Sequence, residues 1–429
     1  MKKDNQKIER LLYSGIFLLA LFLRIYRLSE LPYGIHVDEA GMGYDAYSIA
    51  HWGLDRYCKF YPVYFINYGG GQSVLYGYLC ALLMKIFEPS VLIFRIPAVC
   101  SGMLTCCFGA WIIRKALGRK AGMIGAFLLA VCPCFILTSR LGLDCYLFLG
   151  TSTVALYFFI HAVEAGKDKK MWYAVSGLGF GISLYSYALS WLVIPLFLLC
   201  ALTYLIYIRK ICWKQILVIG IPLMILAMPL MLMLCINFFE LPEIATTYIT
   251  IPRLMEFRAS EISFKHVINN IPVLIQTYFF NDEWLYNSIP TYFSLYVISI
   301  PFALVGIRRG LVLTLEVIRD RKFSISAMIF LWFCAQTCMG LVIKGPCVNK
   351  MNGIFFSLLF FTVYGIRECW LMIQKENIRK WFVIGTAVTY MAFFAGFIKY
   401  YFTEYIQDTF PLPYFDALYA DVLETQGGG

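Results

Sequence analysis

Long apolar runs separated by short charged links set the pattern of this chain. The runs cover 11–28, 91–113, 121–138, 145–163, 171–188, 190–208, 215–236, 291–307, 323–343, 346–366 and 381–400. Each suits one helix crossing a hydrocarbon core of about 30 Å. The pattern therefore predicts an all-α polytopic membrane protein with about eleven transmembrane helices. Two long links, 29–90 and 237–290, stand out as loops large enough to carry structure of their own. The first contains "GIHVDEAGMGYDAYSI" (Gly34–Ile49), in which Ala40, Tyr44, Tyr47 and Ala50 or His51 recur at helical spacing. A short juxtamembrane helix is expected there.

Charge assigns the sides. With the N-terminus inside, the inner links hold Arg114, Lys115, Arg119 and Lys120, then Lys167, Lys169 and Lys170, then Arg209, Lys210 and Lys214. They continue with Arg308, Arg309, Arg319, Arg321 and Lys322, and end with Arg367, Lys375, Arg379 and Lys380. Together with Lys2, Lys3, Lys7 and Arg10 these are most of the Lys and Arg. That is the positive-inside distribution. A shorter apolar run, Val74–Phe87, would invert it by crossing, so it is expected to lie on or dip into the outer leaflet. The net charge of +10 is thereby a topology signal, and no nucleic-acid partner is expected. Only 14% of residues are charged, against about 25% in soluble domains. Most of the 15 cysteines sit in apolar runs as small apolar side chains. Cys58 and Cys347 fall in expected outer loops, where a disulfide is open to them. No Cys/His spacing reads as a zinc site, and no nucleotide-binding loop is present, so no metal or cofactor is expected.

Candidate chemistry gathers on the outer side. Asp38 and Glu39 would lie in the first turn of the loop helix, where carboxylates suit the helix dipole. Adjacent residues face different ways, so one can cap while the other points at a substrate. A shielded carboxylate at the boundary serves as a general base or as a cation site. Spacing alone leaves both open. Asp144, in "SRLGLDCY", surfaces on the same side, with Arg140 four residues before it. The two could pair with each other or share a site. Arg24 lies within the first span, where an arginine is costly and functional by default. Arg95 opens a span in "FRIPAV", and Lys344 and Lys350 flank "GPCVN". Together these cations could meet a lipid phosphate. "NDEWLYNSIP" offers Asn281, Asp282 and Asn287 beside aromatics, a mix that suits sugar recognition.

The layout of "RIYRLSELPYGIHVDEAGMGYDAYSI" resembles the first external loop of bacterial lipid-carrier-dependent glycosyltransferases of the protein-mannosyltransferase and aminoarabinose-transferase type. "FRIPAV", "SRLGLD", "NDEWLYNSIPTYFSLYVISIPFALVGI" and "NKMNGI" follow in the expected order, so the resemblance spans about residues 20–400. It implies a GT-C fold, with residues 1–400 as the catalytic membrane domain and 401–429 as a short outer tail. It further implies a polyprenyl-phosphate-sugar donor and a lipid, glycopolymer or protein acceptor. Asp38 would be the base, with Glu39 beside it and Asp144 assisting in an inverting single displacement. The setting would be a bacterial cell membrane, with the N-terminus cytoplasmic and the active site outside. The lipid A branch carries a Glu-Lys-Pro that is absent here; "NYGGGQSVLYGY" stands in its place. Arg140, Arg95 or Lys350 would then meet the phosphate, Arg140 first. Many relatives also carry an outer soluble domain that residues 401–429 do not match. The rival readings are a transporter or flippase, and an O-antigen-type polymerase or ligase.

Overall fold

The computed structural model describes residues 2–67, 69–257, 261–280, 285–409 and 415–416. The chain opens with α1 (Lys2–Ile25) and reaches a first loop holding β1 (Ile35–His36), α2 (Val37–Trp52), β2 (Phe65–Asn67), β3 (Gly70–Gln72) and α3 (Leu75–Met84). Helices α4 (Val91–Leu117), α5 (Arg119–Val131), α6 (Pro133–Leu137), α7 (Asp144–Ala165), α8 (Lys170–Leu184), α9 (Ser190–Tyr207) and α10 (Trp213–Phe238) follow. A second loop carries β4 (Ile244–Ala245), β5 (Thr250–Ile251) and α11 (Val267–Phe279). The last group is α12 (Ser299–Arg319), α13 (Ile325–Val342), α14 (Ile354–Met372), α15 (Glu376–Thr403), α16 (Tyr405–Thr409) and β6 (Phe415–Asp416).

Among the described residues, α4, α7, α9, α10, α13, α14 and α15 are the helices long and apolar enough to cross a membrane. The other four expected spans are also helical: α1, α5 with α6, α8 and α12. The chain breaks between α5 and α6 at Cys132–Pro133, since proline cannot donate inside a helix but suits a first turn. One expected span is corrected. The run 291–307 is not a helix along its length, because Phe293 and Tyr296 take left-handed backbone (φ 54° and 59°). Helix α12 starts only at Ser299 and then continues past the apolar run to Arg319. Its charged end is held by Arg309 against Glu316 at 3.3 Å and against Glu368 of α14 at 3.8 Å. Likewise α14 starts at Ile354, after turns over 348–353.

Close helix contact comes from small residues. A Cβ on Gly306 would stand 1.9 Å from the Phe361 carbonyl oxygen, and one on Gly365 would stand 1.9 Å from that of Phe302. The two glycines thus let α12 and α14 touch backbone to backbone, the packing expected where lipid removes the hydrophobic drive between helices. At the start of the bundle, Glu9 of α1 meets Arg114 at 2.9 Å and Arg119 at 3.9 Å. Lys115 meets Glu164 at 2.7 Å. The beginning of α1 therefore sits at the same end as the basic α4–α5 link. The opposite end carries the two loops, and there β1 pairs with β6 in antiparallel register, His36 opposite Phe415.

The loops are tied together. The Val63 amide donates to the Thr250 carbonyl at 3.0 Å, the Glu256 amide to Gly69 at 2.7 Å, and Lys59 pairs with Glu243. Helix α3 has 10 residues, a length of about 15 Å, half of a bilayer core. It packs against α2 and α4 through Met42, Ala46, Phe65, Tyr76, Cys80 and Phe94. Among the described cysteines none is joined in a disulfide, so the bridge left open to Cys58 and Cys347 does not form.

Candidate active site

Local sequence sets α2 in place. His36 is its N-cap: its Nδ1 accepts the Asp38 amide at 3.1 Å, while the Glu39 carboxylate accepts the His36 amide at 3.0 Å. This reciprocal capping box satisfies two orphan donors at once. The helix ends at Gly53, whose φ of 73° is the left-handed conformation glycine adopts freely. Asp38 and Glu39, adjacent in sequence, are sent to different environments.

Asp38 keeps 39% of its side chain exposed. One oxygen accepts from Asn67 Nδ2 at 3.1 Å, and the other lies 3.8 Å from His36 Nδ1. Asn67 ends β2, so the β2–β3 hairpin aims that amide at the carboxylate. Asp144 stands at the first turn of α7. Its oxygens accept the Ser73 amide at 3.0 Å and the Cys145 amide at 2.8 Å. The β2–β3 hairpin thus reaches both carboxylates, with Asn67 on Asp38 and the Ser73 amide, just past β3, on Asp144. The wall opposite is polar and aromatic. The Tyr146 hydroxyl lies 2.7 Å from Asn287 Oδ1 and 2.6 Å from Asn349 Oδ1 and donates its one proton to either, Asn349 donates to the Tyr286 hydroxyl at 3.3 Å, and Tyr286 packs on the His36 ring at 4.8 Å. Burial pushes the His36 pKa down, with Arg95 adding to the effect and Asp38 and Glu39 opposing it. Its ring is therefore neutral, as its acceptor role in the cap requires. Burial also raises the Tyr286 hydroxyl, keeping it protonated as a donor. Among the described residues no group of three or more His, Cys, Asp and Glu could hold a metal ion.

Glu39, expected beside Asp38 as a catalytic group, has very different surroundings. It is fully buried, and Arg95 grips both of its oxygens at 3.1 Å, while the His36 and Gly142 amides take the rest. No lone pair is left for a substrate. The three buried arginines, expected as phosphate-binding cations, are likewise occupied by protein partners. Arg95 spends its other donors on the carbonyls of Leu28, Pro32 and Gly34. Arg140 neither pairs with Asp144 nor faces the site. It binds the carbonyls of Leu23, Tyr26, Arg27 and Leu31 at 2.8–3.2 Å and the Tyr401 hydroxyl at 3.0 Å, closing the end of α1. Arg24 ties α1 to Ser139 and to the carbonyls of Leu129, Ala130 and Phe135. All three are 0% exposed. Asn287, also 0% exposed, stands behind Tyr146 and holds its hydroxyl. Asn281 and Asp282 lie outside the described residues.

Two expected cations differ from these. Lys344 is exposed, and Lys350 is half-buried with its ammonium on the Lys344 carbonyl at 2.7 Å. Neither meets a carboxylate among the described residues. Lys350 follows Asn349 directly, and Asn352 donates to the Cys145 carbonyl at 2.5 Å, so this turn is pinned to the Asp144 turn from both sides. Sequence reading missed Asn67, Ser73, Tyr146, Tyr286 and Asn349. The Gly-Gly-Gly at Gly69–Gly71 is the one signal that could have marked the hairpin presenting Asn67 and Ser73.

Residues 72–234 match the family model described as dolichyl-phosphate-mannose-protein mannosyltransferase. Among curated proteins none matches the chain by sequence. Similar solved structures include ArnT from Cupriavidus metallidurans in the apo state, with a TM-score of 0.54 at 11% identity over 97% of this chain and 75% of that one. The same ArnT bound to undecaprenyl phosphate gives 0.52 at 12% identity over the same shares. The oligosaccharyltransferase AglB from Archaeoglobus fulgidus, in complex with an inhibitory peptide and a dolichol-phosphate, gives 0.51 at 14% identity, over 98% of this chain and 56% of that one. Over residues 72–234 the chain thus carries the sequence pattern of the dolichyl-phosphate-mannose-protein mannosyltransferase family, set in the GT-C membrane fold along nearly its whole length.

Proposed function

We propose that the chain is a membrane glycosyltransferase that takes a sugar from a polyprenyl-phosphate carrier and passes it to an acceptor hydroxyl or amine at the loop-bearing end of the bundle. ArnT and AglB, whose fold it shares, were solved with undecaprenyl phosphate and dolichol-phosphate, which supports a carrier of that class. The observation that carries the reading is the contrast between neighbours: Glu39 is saturated, whereas Asp38 stays 39% exposed against the hairpin that also holds Asp144. In the reaction the acceptor heteroatom attacks the anomeric carbon from the face opposite the phosphate. The bond from that carbon to the phosphate oxygen breaks, its electron pair leaves with the lipid phosphate, and the proton passes to Asp38. The anomeric centre inverts. Asp144, held by two backbone amides, orients the acceptor or the sugar hydroxyls.

A leaving phosphate needs a cation aimed at the charge it develops. With Arg24, Arg95 and Arg140 committed to backbone carbonyls, Lys350 takes that role, and Lys344 stands next to it. The positive-inside distribution supports placing the carboxylate end outside and the N-terminus inside. The test is Asp38→Asn, assayed with polyprenyl-phosphate sugars for release of free lipid phosphate. This variant keeps the shape and removes the base, so turnover should fall by about 100-fold or more while carrier binding stays near wild type. Full turnover would overturn the reading.

A further inference from the structure

One cavity lies far from the carboxylates. It holds about 640 Å³ between the first half of α1 and the last turns of α4, at the basic end of the bundle. That volume suits a small-molecule site, and its lining is graded. Arg10, Arg114 and Arg119 stand at one end with Glu9, and Phe17 and Ala110 at the other. Arg10 and Phe17 share α1, with a rise between them of about 10 Å. The antiparallel α4 repeats the order, with Arg114 one turn nearer the same end than Ala110.

The charge there is not balanced. Glu9 meets Arg114 at 2.9 Å, but Arg119 only at 3.9 Å, with 66% of the Arg119 side chain exposed. Arg10 is exposed and makes no ion pair among the described residues. Three guanidiniums thus share one carboxylate, an excess of positive charge open to an anion, and planar guanidiniums match phosphate oxygens two at a time. Arg114 stacks over the rings of Tyr13 at 5.7 Å and Trp111 at 5.8 Å. Trp111 is half exposed, as aromatic residues are at a membrane interface.

We propose that this cleft binds the phosphodiester headgroup of an anionic membrane lipid, with the start of an acyl chain lying toward Phe17 and Ala110. A soluble phosphate would satisfy the arginines but leave the apolar wall without a partner, so the occupant is a lipid. The site is separate from the proposed transfer site and does not depend on it.

Native mass spectrometry of the delipidated full chain, titrated with phosphatidylglycerol or phosphatidylethanolamine, tests this. One phosphatidylglycerol should be retained per chain, about ten-fold more tightly than phosphatidylethanolamine. Arg10→Gln with Arg119→Gln should abolish that preference, and both positions are exposed, so folding is spared. Lys7→Gln with Lys120→Gln removes equal charge outside the cavity and should leave the preference intact. Equal retention of the two lipids overturns the proposal, as does a preference that survives the double arginine variant or one lost equally in the lysine control. Displacement of the bound lipid by millimolar inorganic phosphate overturns the choice of occupant.

Discussion

Replacing Glu39 by Gln separates support from catalysis. The substitution keeps the shape of the side chain, so α2 is not asked to repack. It removes the charge that faces Arg95, and both partners are 0% exposed. Arg95 keeps the Leu28, Pro32 and Gly34 carbonyls, but its guanidinium loses its counter-charge in a dry setting. The new amide also turns an NH2 toward a donor, the His36 or Gly142 amide or an Arg95 N–H. Breaking one side of a buried pair costs about 3–5 kcal/mol, and the three surviving carbonyl bonds put this case near the lower figure. In a chain of this size that lowers the unfolding midpoint by on the order of 5 °C. Intrinsic fluorescence of the purified protein during heating reads the shift. A double-substitution cycle then isolates the pair. Arg95→Gln alone should cost more than Glu39→Gln, because it also orphans three carbonyls, but Glu39→Gln added to it should cost almost nothing further. Lipid-phosphate release per folded Glu39→Gln molecule should stay within about ten-fold of wild type, which is less than the loss of a general base brings. A Glu39→Gln protein that melts with wild type yet transfers no sugar refutes the assignment. Additive costs in the double variant refute the pairing.

Lys350→Gln should weaken binding of undecaprenyl phosphate by at least ten-fold, the scale of about 1.5–3 kcal/mol for a hydrogen bond to a charged group, and fluorescence quenching by the lipid measures it; unchanged affinity moves the role to Lys344. The buried His36 ring, held neutral, makes stability depend on pH. Its pKa is lowered by burial, so the unfolded chain takes up a proton that the native state refuses. Stability from this group is complete above the unfolded value of about 6.5 and is lost as pH falls below it. Wild type should lose melting temperature from pH 7 to pH 5.5, and His36→Asn, which keeps a capping side chain, should flatten that slope; an equal slope in both removes His36 as its source. A cysteine at Glu88, just past α3, should react with an impermeant thiol reagent from outside intact cells, and labelling only after permeabilisation would reverse the topology.

Much of the fold was legible because a helix in lipid must be apolar along about 20 residues, and such runs are visible in the sequence. Where the reading slipped, backbone conformation or partner charge decided the outcome. Tyr292–Ile298 is as apolar as a span, but the left-handed Phe293 and Tyr296 stop a helix there. Beyond Ile307 the sequence turns charged, yet α12 continues because Arg309 finds Glu316 and Glu368. The strand pairs of the loops run two or three residues, too short to leave a period-2 pattern.

The candidate site divides along a different line. Asp38 and Asp144, the carboxylates of the proposed site, stood out in the sequence because a carboxylate beside a span has little structural excuse. The arginines carried the same kind of signal, since a charge at membrane depth is costly and invites a functional reading. What separates the two groups is the supply of unmet backbone carbonyls. A helix end leaves four of them without partners, and the chain leaving α1 presents Leu23, Tyr26, Leu28, Arg27 and Leu31 close together. Arg140 and Arg95 reach them from 117 and 67 residues away, a separation no local pattern encodes. An arginine there answers a need created by the fold itself: without water, each carbonyl must find a donor, and a guanidinium has five. Lysine, with three donors on a flexible stem, suits that work poorly. The cations proposed for a leaving phosphate are accordingly lysines, Lys344 and Lys350, on a turn that the asparagines Asn349 and Asn352 pin against Tyr146 and Cys145.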